Sequence, residues 1–181
     1  MKPTNDAYRN LSCQYITEAL FRLMEKENFS DITISEITQE AGVARRTFYL
    51  NYTSKEDILD QHYETLIREY DSNFTEELQN DLLKHSAYFF TFWKNHRDYA
   101  LLLEKNGMLH MLIRRFHYYL DRTGTGAPDL SSDPIQKYAS SYFAGGLFMI
   151  LQTWLQRDYT ETPEQLAEYF CILSNQRSAS E

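Results

Sequence analysis

AGVARRTFYLNY, residues 41–52, is the stretch on which the reading of the fold turns. The chain of 181 residues has a formal net charge of -8. Yet here Arg45 and Arg46 stand side by side, with Thr47, Phe48 and Tyr49 directly after them. Just upstream, Thr33-Ile34-Ser35-Glu36 has the form T-x-x-E. That is a capping box: the threonine hydroxyl takes up one orphan amide and the glutamate reaches back to another. The pattern predicts a short helix over 34–41 with Ile34, Ile37 and Ala41 facing inward. Gly42 then supplies a sharp turn through positive φ, and Val43 fills the corner. A second short helix follows over 45–51, stopped by Thr53-Ser54, and Ser54-Lys55-Glu56-Asp57 caps a third. Ahead of them Leu11, Tyr15, Ile16, Ala19, Leu20, Leu23 and Met24 recur at helical spacing. They predict an amphipathic helix over 8–27, ended by Asn28 in the left-handed C′ position.

A helix, a sharp turn and a short second helix, packed on a preceding helix, form a helix-turn-helix unit. In such a unit the second helix enters the DNA major groove. Arg45 and Arg46 fall in its first turn. A guanidinium there reaches guanine O6 and N7 with two hydrogen bonds, or clamps a phosphate; the sequence leaves open which arginine does which. Thr47 suits a phosphate or a thymine methyl, and Tyr49, one turn from Arg45, offers its hydroxyl to the DNA backbone. Thr33 and Lys55 flank the helix and suit phosphate contacts, which fix register rather than sequence. Phe48 and Tyr52 are expected in the core, locking the short helix in place.

The charge distribution fits two jobs. Residues 1–55 hold seven Lys or Arg and seven Asp or Glu, whereas residues 56–181 hold 11 and 19. A neutral part with focused cations is thus joined to an acidic remainder. We therefore divide the chain into a helix-turn-helix DNA-binding domain, residues 1–54, and a helical regulatory and dimerisation domain, residues 55–181.

Beyond Lys55, helices are expected over 55–73, 75–95, 97–105, 108–120, 135–157 and 163–176. The last opens on Thr162-Pro163-Glu164-Gln165, with a cap, proline at N1 and glutamine at N3. Together with the first three this is an all-α chain of about nine helices, with no convincing strand alternation. DRTGTGAPDLSSDP, residues 121–134, reads as a connecting loop; no strand precedes its G-x-G and no Gly-Lys follows, so it is not a phosphate loop.

ITISEITQEAGVARRTFYLNYTSKEDIL, residues 32–59, resembles the helix-turn-helix signature of the TetR/AcrR family of transcriptional regulators. Thr33, Ile37, Ala41, Gly42, Val43, Thr47, Tyr49, Lys55 and Ile58 carry the match. Thr38 departs from the usual alanine and Ala44 from the usual serine cap, and Asn51-Tyr52 stands where Tyr-Phe is common. The resemblance implies an N-terminal three-helix DNA-binding domain and a C-terminal domain for ligand binding and dimerisation. It also implies a cytoplasmic bacterial homodimer that represses nearby genes from a palindromic operator and is released by an effector. SAYFFTFWKNHRDYALLL (86–103) and YFAGGLFMILQTWL (142–155) resemble the C-terminal domains of one branch of that family, some of whose members work with a protein partner. Two readings of the effector therefore stand: a small hydrophobic molecule, or a partner protein docked on the C-terminal domain.

In the family the last two helices pair with their copies. Candidate interface residues are Tyr142, Phe143, Phe148, Leu151, Trp154, Leu155, Leu166, Tyr169, Phe170 and Leu173, which suit packing within one chain as well. Ala144-Gly145-Gly146 would let another helix approach. Candidate pocket residues are Tyr63, Phe89, Phe92, Trp93, Met108, Met111, Tyr118 and Phe148; such residues at helical spacing also make ordinary core.

No activated serine or cysteine, nucleotide loop or HExxH motif is present, so no catalysis and no cofactor are expected. His110 and His117 lie seven apart, not at the i, i+4 spacing of a metal pair, so no metal site is expected. Cys13 and Cys171 are expected to be reduced. The N-terminal residues show no apolar signal segment, the longest apolar run is ten residues (142–151), and no membrane role is expected.

Overall fold

Ten helices, and no strand, make up the described part of the computed structural model, residues 5–123 and 135–175. Contacts divide the chain into two compact units, Met1–Asp71 and Ser72–Glu181.

The first unit contains α1 (Asn5–Met24), α2 (Ile34–Glu40), α3 (Arg45–Tyr49) and nearly all of α4 (Lys55–Ser72). Its core is built from Ile16, Ala19, Leu20 and Met24 of α1, Ile37 of α2, Phe48 of α3 and Ile58 of α4, each with no exposed surface. Burying a side chain of the size of Phe48 contributes about 1.5–3 kcal/mol, enough to hold a helix too short to persist alone. Leu11 and Tyr15, expected inward, are instead 43% and 44% exposed. Asn28 does not take the left-handed conformation; its carbonyl accepts the Asp31 amide at 2.9 Å in an ordinary turn. The contact boundary after Asp71 places α4 with the three helices before it, beyond the sequence-based division after residue 54.

The second unit contains α5 (Glu76–Asn80), α6 (Leu82–Asn95), α7 (Arg97–Lys105), α8 (His110–Thr123), α9 (Ile135–Gln156) and α10 (Pro163–Asn175). The sequence pattern merges α5 and α6 into one helix. The structure breaks it at Asp81, whose extended backbone (φ -128, ψ 104) lets its carboxylate accept the Lys84 amide and cap α6. Asp at such a position competes for the backbone better as a cap than as a helix interior residue. Helix α10 packs on α6, and α8 on α9. The expected start of α10 is formed: the Thr162 amide donates to Gln165 Oε1 at 2.9 Å, and the Gln165 amide to Thr162 Oγ1 at 3.3 Å. Residues 124–134 of the expected loop lie outside the described residues.

Candidate nucleic-acid interface

The turn before α3 is set by backbone hydrogen bonds that only certain residues permit. The Val43 amide donates to the Thr38 carbonyl (3.0 Å) and the Gly42 amide to the Gln39 carbonyl (3.1 Å). This is the Schellman pairing, with Gly42 at φ +65 in the left-handed region. The capping box at the other end of α2 is complete. The Glu36 amide donates to Thr33 Oγ1 (3.3 Å), while the Thr33 hydroxyl and amide donate to Glu36 Oε2 (2.6 and 2.8 Å). Those two bonds, the hydroxyl's first, hold the Glu36 carboxyl below its ordinary range.

Helix α3 is anchored by its aromatic residues. Phe48 is fully buried, with the Tyr52 ring 5.7 Å away. The Tyr52 hydroxyl lies 3.3 Å from Thr17 Oγ1 and donates to the Cys13 carbonyl at 3.4 Å. Burial pushes its pKa up to about 12, so it stays a neutral donor. With that side held on α1, the rest of α3 faces out. Arg45, Arg46 and Tyr49 are exposed and Thr47 is half-buried. The Arg45 guanidinium rests 5.8 Å from the centre of the Tyr49 ring and donates to its hydroxyl at 3.3 Å. Among the described residues neither arginine has an acidic partner.

Thr33 and Lys55, expected on phosphates, are engaged within the chain. The Lys55 ammonium has three N–H donors, and the carbonyls of Phe29, Ser30 and Ile32 lie 2.5, 2.9 and 2.7 Å from it. It also sits 4.7 Å from the Phe29 ring centre. Lys55 therefore ties the α1–α2 connection to the start of α4, and the Thr33 hydroxyl is held by Glu36. Arg22 is likewise engaged, by Glu40 at 2.8 Å.

Three residues of this surface escape the sequence reading. Asn51 donates to the Thr47 carbonyl (2.8 Å) and accepts from Arg9 Nε (3.2 Å), while its own carbonyl accepts from Gln61 (3.0 Å). One side chain thus joins the end of α3 to α1 and brings the exposed Arg9 beside it. No sequence pattern signals a contact across 42 positions. Leu50 is 69% exposed, and a helical projection away from Phe48 would have found it.

The second unit sorts the remaining candidates. Phe89 lies 5.2 Å from Phe116 and 5.1 Å from Phe148, and Phe148 lies 5.7 Å from Trp93 and 5.4 Å from Phe116. Phe92 meets Trp93 at 5.7 Å. So four of the eight pocket candidates (Phe89, Phe92, Trp93 and Phe148) pack on one another. Tyr118 is instead 62% exposed, Met108 and Met111 are half-buried, and Tyr63 belongs to the first unit. Of the interface candidates, Phe148, Leu151, Trp154, Leu155, Leu166 and Phe170 are buried in this unit's own core. They are covered within the chain itself. Tyr142, Tyr169 and Leu173 are exposed, Phe143 is half-buried, and Met149 and Ile172, which the sequence reading passed over, are exposed with them. A groove of about 310 Å³ between α9 and α10 is lined by residues including Ile150, Thr153, Tyr169 and Leu173. The close approach at Gly146 is made within the chain: a Cβ there would meet Phe170 Cε2 at 2.8 Å. Cys13 and Cys171 are free thiols. Among the described residues no helix is long and apolar enough to cross a membrane.

Comparison with known proteins agrees with this geometry. Residues 16–61 match the family model for bacterial regulatory proteins, tetR family. Residues 72–176 match a transcriptional regulator C-terminal region. The HTH-type transcriptional regulator EthR of Mycolicibacterium smegmatis is 34% identical over 59 residues, 33% of this chain and 27% of the relative. The uncharacterized HTH-type transcriptional regulator YerO of Bacillus subtilis is 30% identical over 113 residues, 57% of this chain and 39% of the relative. The chain thus covers well under half of these relatives' lengths. Solved structures share the fold. A fatty acid degradation regulator FadR from Bacillus halodurans aligns with a TM-score of 0.59 at 18% identity, over 98% of this chain and 99% of its own. The dihydroxyacetone kinase operon activator DhaS aligns at 0.56 and 17%, over 90% and 93%. FadR from Bacillus subtilis, solved in complex with stearoyl-CoA, aligns at 0.52 and 20%, over 90% and 97%.

Proposed function

The chain belongs to the TetR family of bacterial regulatory proteins, with a helix-turn-helix DNA-binding domain, and from that premise we propose that it is a repressor. It binds a palindromic operator as a homodimer and is released by an effector. The observation that carries the DNA-reading part is the pair Arg45 and Arg46, exposed on a helix fixed from behind by Phe48 and Tyr52. Arg45, Arg46, Thr47 and Tyr49 meet the DNA. Thr33 and Lys55 hold the frame that presents them. Pairing through the exposed faces of α9 and α10, at Tyr142, Met149, Tyr169, Ile172 and Leu173, doubles the contacts of one half-site reader.

The effector in this reading is a small hydrophobic molecule. The stearoyl-CoA held by the Bacillus subtilis neighbour makes long acyl chains the first compounds to try. The edge-to-face packing of Phe89, Trp93, Phe116 and Phe148 favours a second reading, in which the C-terminal unit docks a partner protein instead. Genome-wide mapping of bound DNA, followed by anisotropy titration of the strongest site, tests the function. Binding in the 10⁻⁸–10⁻¹¹ M range is expected, about 10³-fold or more above random duplex. Equal affinity for every duplex would remove it. Acyl chains that raise the thermal midpoint and release DNA support the first effector reading; a co-purifying protein that releases DNA supports the second.

A further inference from the structure

The outward face of α3 holds a side chain that suits neither a phosphate nor a hydrogen-bonding base edge. Leu50 caps the helix with helical backbone angles (φ -75, ψ -19), so it continues the spiral one turn beyond Arg46 and opposite the buried Phe48. It is 69% exposed. Its neighbours on the face are engaged: the Tyr49 hydroxyl by Arg45, and the Asn51 amide by Arg9 and the Thr47 carbonyl. Arg46 and Leu50, one turn apart, are both exposed on this surface. The major groove presents donors and acceptors on every base pair but one apolar group, the C5-methyl of thymine.

We propose that Leu50 is a specificity-determining residue that covers a thymine methyl in each half-site. The proposal rests on the DNA-reading function above. Leucine in that position makes the bound sequence depend on a methyl group rather than on a hydrogen bond, complementing the cation beside it. Cytosine, which lacks the methyl, and uracil, which lacks it while keeping thymine's pairing edge and major-groove acceptor, are both disfavoured.

In vitro selection from random duplexes with the full chain gives the preferred site. Each dT in it is then replaced singly by dU, and affinity is measured by anisotropy for the wild type and for Leu50→Ala. Burial of one methyl corresponds to roughly a fourfold change in affinity. We expect one dT per half-site whose replacement weakens the wild type by about that factor and leaves the affinity of Leu50→Ala unchanged. Because Leu50 is exposed, the variant melts with the wild type, which the same samples verify. Selection that enriches no sequence overturns the DNA-reading function itself. Enrichment with no dU position that distinguishes the two proteins overturns the assignment of Leu50 alone.

Discussion

The two units treat their most conspicuous side chains in opposite ways. In the first, the residues that stand out in the sequence also stand out in space: Arg45 and Arg46 are exposed on α3. In the second, the residues that stand out are packed away: Phe89, Phe90, Phe116, Phe148 and Trp154 are all less than 2% exposed. Its surface instead carries Tyr142, Met149, Tyr169, Ile172 and Leu173. Desolvation expels an unpaired charge from a core, so its place on a helix settles its exposure. An aromatic ring is equally at home in a core, a pocket or an interface, and the packing of distant helices decides between them.

The largest test of that contrast sets Phe148 against Leu173. Both suit an interface by sequence, but one is fully buried and the other 55% exposed. Phe148→Ala should destabilise the chain by about 3–5 kcal/mol in a urea melt. Leu173→Ala should change subunit stability by about 0.5 kcal/mol or less, while weakening self-association in sedimentation. Equal losses of stability would erase the distinction drawn between core and interface on α9 and α10.

Acid separates the units next. His85 in α6 is 3% exposed, with the Phe74 ring 4.9 Å away, and burial lowers its pKa from 6.5 to about 4. Above pH 6.5 the ring is neutral whether folded or unfolded and costs nothing. As pH falls from 6.5 towards 4 the unfolded chain takes up a proton that the folded chain refuses. The second unit should then lose about 3 kcal/mol over that window. His85→Leu should flatten that part of the pH profile. In the first unit Glu36 acts in the same direction but lower on the pH scale: its lowered pKa gives stability that is present above pH 4.5 and lost as pH falls through the lowered value. A His85→Leu profile that still falls between pH 6.5 and 4 by the wild-type amount would break the assignment.

Smaller again is the division of labour between the arginines. Arg45 is braced on Tyr49, whereas Arg46 has no such brace. Arg45 is therefore expected to clamp a phosphate and Arg46 to read a base. Arg46→Ala should cost about 1–3 kcal/mol on the preferred site and relax its sequence preference. Arg45→Ala should weaken all duplexes alike and lower the salt slope by about 1. Reversed outcomes would exchange the two roles without disturbing the surface.

How far the sequence reaches follows from how local each feature is. The capping box at Thr33, the turn at Gly42 and the start of α10 at Thr162 are set by residues within five positions of one another, and all three form as read. The break at Asp81 was missed because the helical apolar pattern runs across it. The sequence suggests only a phosphate contact for Lys55, because its three carbonyl partners lie 23 to 26 residues earlier. The Arg9–Asn51 contact spans 42. In the second unit nearly every decisive contact is of this kind, such as Phe89 on Phe148 or Gly146 beneath Phe170. Aromatic spacing predicted the helices there but not which faces they share.

The smallest expected effects lie in two turns that solve one geometric problem differently. After α2 the left-handed position is filled by Gly42 at φ +65, with open space where a Cβ would stand. Gly42→Ala thus meets no clash and should cost about 1–2 kcal/mol from backbone strain alone. After α9 the amide of Tyr159 donates to the Trp154 carbonyl and that of Asp158 to the Leu155 carbonyl, the same pairing, yet Asp158 (φ 54) and Tyr159 (φ 58) carry the left-handed angles. Tyr159 is held there by Trp154, ring centres 4.5 Å apart, and by Arg97 at 5.0 Å from its ring centre. Asp158 is exposed, and only the turn constrains it. Aspartate tolerates the left-handed region better than most residues. Asp158→Gly should therefore stabilise the chain by no more than about 0.5–1 kcal/mol, a shift of a few degrees in the thermal midpoint. Tyr159→Gly, which relieves the same strain but removes both ring contacts, should destabilise it. A gain from Tyr159→Gly would mean that backbone strain, not aromatic packing, governs this corner of the second unit.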